Sequence, residues 1–103
     1  MEQALRVARE KLKEIRTVTE WAEKMGYECP KYYSNRFKRQ YGLSPKPKLV
    51  VLRIEKFQKL IKEKPELSCY EIALQLGLED EKVLNKYIKT HTGKAPREWR
   101  NGE

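Results

Sequence analysis

A repeat constrains this chain more than any other feature: residues 17–45 lie over residues 68–96 at an offset of 51, without a gap. Eight positions are identical, namely Glu20/Glu71, Ala22/Ala73, Gly26/Gly77, Glu28/Glu79, Lys31/Lys82, Lys38/Lys89, Gly42/Gly93 and Pro45/Pro96, where ordinary composition gives roughly two. Thr17/Ser68, Met25/Leu76, Ser34/Asn85 and Phe37/Ile88 keep their character. One supersecondary unit therefore occurs twice, and any fold must accommodate both copies.

The unit is helical in its logic. Thr17-Val18-Thr19-Glu20 and Ser68-Cys69-Tyr70-Glu71 have the form of a capping box, in which a hydroxyl takes the N3 amide and the glutamate reaches back. Each opens a helix of barely two turns whose apolar stripe (Trp21, Ala22, Met25; Ile72, Ala73, Leu76) runs into Gly26 or Gly77, where tolerance of positive φ ends the helix. A second helix follows, with Pro30 at its first position in one copy and Asp80 as N-cap in the other. Tyr33 and Phe37, or Leu84 and Ile88, give it a core face at i, i+4. Lys31, Ser34, Asn35 and Lys38 are expected opposite that face, and Lys82, Asn85, Lys86 and Lys89 in the second copy.

Two short helices crossing closely at Ala22 or Ala73 and turning at a glycine read as a helix-turn-helix. Its outward face carries what a major-groove helix needs: amides and hydroxyls for base edges, lysines for phosphates or guanine acceptors. The charge agrees. Residues 1–30 hold six basic and six acidic side chains, residues 31–64 eleven and two, and residues 65–103 six and seven. A basic block on amphipathic helices is the footprint of a phosphate-binding surface, because neutralised phosphates release condensed counterions.

Between the copies, Ser44-Pro45 opens a connecting helix that ends before Pro65, with Leu49, Leu52, Ile54, Phe57, Leu60 and Ile61 as its apolar stripe. Its expected 16 to 18 residues span about 25 Å. With the bodies of both units added, the two second helices are expected about one DNA turn apart, ~34 Å. Residues Gln3 to Arg16 read as a further amphipathic helix with Leu5, Ala8, Leu12 and Ile15 inward. The expected architecture is all-α, with about seven helices: a first helix-turn-helix subdomain at 1–45, a linker helix at 46–64 and a second subdomain at 65–103.

Other classes find little support. Cys29 and Cys69 lack CxxC spacing and there is one histidine, so neither a disulfide framework nor a four-ligand zinc site is expected, and a reducing compartment fits. His91 has no nucleophile or carboxylate constellation around it, so no catalysis and no cofactor are expected. No apolar run reaches membrane-span length and Met1-Glu2-Gln3 opens no signal-peptide core, which makes a cytoplasmic protein the expectation. RNA modules bring exposed aromatics on a sheet or a GxxG loop, and neither occurs. The alternative to a DNA-binding protein is an all-helical protein-interaction adaptor with a basic surface.

Ala22-x3-Gly26-Tyr27, Tyr33-x3-Phe37-Lys38, Gly42-Leu43-Ser44-Pro45 and Arg53-Ile54, followed by Glu71-Ile72-Ala73-x3-Gly77-Leu78, Lys89, Gly93, Pro96 and Trp99-Arg100, resemble the DNA-binding domain of AraC-type (AraC/XylS) transcriptional regulators over residues 5–100. The resemblance implies two helix-turn-helix units in successive major grooves of promoter DNA, with RNA polymerase as a further partner and the chain acting as a monomer. It implies base reading by Lys31, Ser34 and Asn35 in the first unit and by Lys82, Val83, Asn85 and Lys86 in the second. Phosphate contacts are expected from Arg36, Lys38, Arg39, Lys46, Arg53, Lys89 and Arg97. Three departures stand out: Leu78, Leu84 and Ile88 replace aromatics in the second unit, the interval from Gly26 to Phe37 is one residue longer than a first repeat of this family would have, and Arg36 occupies a position usually apolar, from which it is expected to turn outward toward a phosphate.

Overall fold

The hydroxyls of Thr17 and Ser68 start the short helices α2 (Val18–Lys24) and α5 (Cys69–Gln75). Both boxes are complete: Thr17 Oγ1 accepts from the Glu20 amide at 3.2 Å and Glu20 Oε1 accepts from the Thr17 amide at 3.1 Å, while in the second copy the distances are 3.1 and 2.9 Å. Both helices close alike. Gly26 and Gly77 take φ of 84° and 78°, and the next amide folds back five residues, Tyr27 to the Ala22 carbonyl and Leu78 to that of Ala73, each at 2.9 Å. That closure satisfies carbonyls the helix would leave open and demands a left-handed residue, which glycine adopts without steric cost.

The second helices are α3 (Pro30–Tyr41) and α6 (Glu81–Thr92), ended by Gly42 and Gly93. Two further helices, α4 (Pro45–Glu63) and α7 (Pro96–Gly102), begin at the repeated prolines. The starts of all three paired helices recur at the 51-residue offset, as do the ends of the first two pairs. The interval from Gly26 to Phe37 therefore equals that from Gly77 to Ile88, and α3 and α6 have the same length, 12 residues. The computed structural model describes residues 3–102, and among them there are seven α-helices and one 3₁₀ turn.

The N-terminal segment departs from expectation. Helix α1 (Ala4–Glu10) stops at Lys11 (φ −118°, ψ 26°), and a 3₁₀ turn over Leu12–Glu14 follows. Ala8, Leu12 and Ile15 are inward as expected, but Ala4 takes the buried place and Leu5 is half-buried. The tighter turn winds the chain enough to keep Leu12 and Ile15 inside after the helix ends.

The chain divides into two compact units, one up to Leu52 and one from Arg53, so each takes half of α4. The first is built on rings. Trp21, Tyr33 and Phe37 are fully buried, with Trp21 edge-on to Tyr33 at 5.8 Å and to Phe37 at 5.1 Å, and Tyr27 edge-on to Tyr33 at 5.2 Å. Trp21 Nε1 donates to the Ala4 carbonyl at 3.1 Å, tying α1 to this cluster. The Tyr33 hydroxyl is buried with no partner among the described residues, and burial, with Tyr41 and Tyr27 nearby, pushes that phenol far above its ordinary pKa.

The second unit is aliphatic. Ile72, Leu76, Leu78, Leu84 and Ile88 are buried with Phe57 and Leu60 of α4. Half-buried Trp99 stands edge-on to Phe57 at 6.3 Å and donates to Thr92 Oγ1 at 3.1 Å. Complete burial of one such apolar side chain contributes about 1.5–3 kcal/mol, so both cores hold helices too short to persist alone. Among the described residues no helix is long and apolar enough to cross a membrane.

Candidate nucleic-acid interface

A helix turns about 100° per residue, so the buried pair fixes what the rest of the helix presents. On α3, Asn35 lies opposite the midpoint of Tyr33 and Phe37, with Lys31 and Arg39 about 40° to either side and Lys38 and Tyr32 about 60° to either side. All five are exposed. Ser34, expected on this outward face, instead flanks the core and is half-buried. On α6 the same positions hold Lys86 at the centre, then Lys82 and Thr90, then Lys89 and Val83, all exposed; Asn85, at the Ser34 position, is exposed too.

The two faces differ in charge. Helix α3 carries Lys31, Arg36, Lys38 and Arg39 and no carboxylate, and its N-cap, Cys29, makes no side-chain capping bond. Helix α6 carries Lys82, Lys86 and Lys89 but opens with Glu81 after an Asp80 cap whose carboxylate accepts from the Val83 amide at 2.9 Å. Carboxylates there complement the helix dipole and weaken the attraction to an anion. By unit, the first holds twelve basic and six acidic residues and the second eleven and nine.

Of the expected phosphate contacts, Arg36, Lys38, Arg39, Lys46, Lys89 and Arg97 are exposed. Lys46 and Arg97 are a repeat pair, each directly after the buried proline that starts α4 or α7. Arg36 leans over the Tyr32 ring, 6.0 Å from its centroid, and donates to the Tyr32 hydroxyl at 3.4 Å. In the second unit, Asn85 and Arg97 line one open cleft of about 630 Å³ with Cys69, Glu81, Ala95 and Arg100.

Arg53 is a correction. It is 6% exposed; its Nε donates to the Leu76 carbonyl at 3.1 Å, and its guanidinium lies 5.3 Å from the Tyr87 ring centroid and 3.4 Å from that residue's hydroxyl. The guanidinium thus joins the α4 half of the second unit to the end of α5 and the middle of α6. A cation so occupied inside the unit does not reach a phosphate.

Sequence reasoning passed over Tyr32. The residue is 53% exposed on α3, although its ring stands against half-buried Tyr27, centroids 5.8 Å apart. The repeat contained the signal, since Tyr32 registers with Val83, itself 37% exposed and among the expected base readers. As for other chemistry, Cys29 and Cys69 are free thiols, and no three His, Cys, Asp or Glu side chains gather to hold a metal among the described residues.

Solved structures share this arrangement. The C-terminal domain of the two-component response regulator yesN from Fusobacterium nucleatum superposes with a TM-score of 0.82 at 28% identity, covering 97% of this chain and 96% of that one. A transcriptional regulator from Chromobacterium violaceum, described among AraC-type DNA-binding domain-containing proteins, superposes with a TM-score of 0.74 at 20% identity, over 96% of this chain and 87% of that one. The chain has the AraC-type DNA-binding fold. An uncharacterized HTH-type transcriptional regulator, YobQ of Bacillus subtilis, is 32% identical over 72 residues, which are 70% of this chain. The match spans only 30% of that relative's length. No protein-family model matches the chain. Within this fold, α2–α3 and α5–α6 are the two helix-turn-helix units, with α3 and α6 as their second helices.

Proposed function

We propose that this chain binds double-stranded promoter DNA sequence-specifically and regulates transcription, with α3 and α6 entering successive major-groove segments. The observation that carries this reading is the twofold recurrence of a capped helix, a glycine turn and a second helix with exposed lysines at matched register, Lys31/Lys82 and Lys38/Lys89. A protein adaptor needs the caps and the core but not matched cations on both outward faces. Lys31, Asn35, Lys82, Val83, Asn85 and Lys86 read base edges, with Ser34 at the margin. Arg36, Lys38, Arg39, Lys46, Lys89 and Arg97 grip phosphates and set the register. The chain acts as a monomer in the cytoplasm, without catalysis, and RNA polymerase is the second macromolecule it meets.

Binding to a duplex selected from a random pool, titrated over a range of salt, tests this. Affinity should fall steeply with salt, and Lys38→Ala should weaken binding to all sequences alike and lower the salt slope by about one. Salt-insensitive binding, or preference for a protein partner over any duplex, would return the chain to the adaptor class.

A further inference from the structure

Among the described residues, five large apolar side chains are exposed: Tyr32, Val51, Tyr70, Leu74 and Val83. Tyr32 and Val83 form a repeat pair, each the third residue of its recognition helix. Both stand among lysines and amides on the face turned from the core, about 60° from its centre. Each keeps a substantial part of its surface open to solvent, 53% for Tyr32 and 37% for Val83. Both are also held in place. The Tyr32 ring lies against Tyr27, centroids 5.8 Å apart, and under the Arg36 guanidinium. Val83 is β-branched, which leaves essentially one rotamer on a helix, and its amide is fixed by Asp80.

A preorganised apolar group in a polar, cationic face calls for an apolar feature in the ligand. In the major groove the base pairs offer one such group, the C5 methyl of thymine. Resting on the duplex-DNA reading above, we propose that Tyr32 and Val83 each seat a thymine methyl, so that both halves of the bound site carry thymine at the same place relative to their recognition helix. The second unit makes the contact with two methyl groups of valine and the first with the edge of a phenol ring. Tyr32 and Val83 are thus specificity residues placed by one repeat register.

The probe is a duplex selected by the wild-type chain, in which each thymine is replaced in turn by deoxyuridine, a change that removes the methyl and nothing else. One replacement in each half should weaken binding about fourfold, the value of one buried methyl. Tyr32→Ala should erase the effect at the first position and Val83→Ala at the second, each measured on a variant that thermal melting shows to be folded; Tyr32→Phe, which keeps the ring against Tyr27, should retain it. A tightly selected duplex in which no deoxyuridine matters would overturn the thymine contacts and leave DNA binding standing. So would sensitivity that persists in both alanine variants, and an effect confined to one half would overturn the shared register. Failure to select any duplex would instead remove the DNA reading, and this inference with it.

Discussion

Where the first unit places Trp21, Tyr27, Tyr33 and Phe37, the second places Ile72, Leu78, Leu84 and Ile88 at the same four register positions. Both nonetheless fold into helices whose paired boundaries match. The backbone follows the shared punctuation: two capping boxes, two glycines at positive φ after the short helix, two more after the long one, and two prolines. Core identity is free to change, provided the volume is made up. The first unit fills it with edge-on rings; the second brings in Phe57 and Trp99 and buries Arg53, whose guanidinium meets the Leu76 carbonyl and the Tyr87 ring. Such exchange is tolerated because patterning and total volume select the fold, while detailed complementarity adds the last increments of stability.

The largest way to break this comparison is to empty one core. Phe37→Ala should cost about 3–5 kcal/mol and its counterpart Ile88→Ala about 2–5, each read by thermal melting, with hydrogen exchange locating the damage in the unit that carries the change. Exchange rising equally in both units would contradict two separately packed cores. Arg53→Met keeps an apolar stem but strips the Leu76 carbonyl and the Tyr87 hydroxyl of their donor, and should cost about 1–3 kcal/mol, confined to the second unit. Unchanged stability with a lower salt slope would put Arg53 back among the phosphate contacts. The smallest change sharpens the contrast from the other side. Tyr33→Phe removes a buried hydroxyl with no partner among the described residues, and should leave the first unit as stable or raise it by about 1 kcal/mol. A clear loss of stability would reveal a partner for that oxygen.

What the sequence made legible was local. The caps, the glycine turns, the proline starts and the i, i+4 core pairs each depend on residues within a turn or two, and all stand where the repeat placed them. What it hid depends on partners far along the chain or on small rotations. Arg53 looks like one more surface cation because Leu76 and Tyr87 lie 23 and 34 residues away. The end of α1 at Lys11 was invisible because Leu12 and Ile15 continue the apolar period through a 3₁₀ turn. Ser34 fell on the flank because a spacing of i, i+3, i+4, i+7 from Lys31 covers a face too broad to clear the core entirely. Tyr32 went unread beside the i, i+4 pair of Tyr33 and Phe37, although it shares its repeat register with Val83.

The units differ most consequentially in charge, since α3 presents four cations and no carboxylate while α6 opens with Asp80 and Glu81. We therefore expect the first unit to dominate affinity and the second to make a weaker, more sequence-tolerant contact. Asn35 and Lys86 occupy the same register, each opposite its buried pair, and make the matched test. In parallel titrations of one selected duplex at one salt concentration, Asn35→Ala should remove discrimination at particular base pairs, worth about 1–3 kcal/mol each, and Lys86→Ala should lower affinity by less. Greater damage from Lys86→Ala would contradict the charge argument, and no effect from either would contradict two recognition helices in the groove.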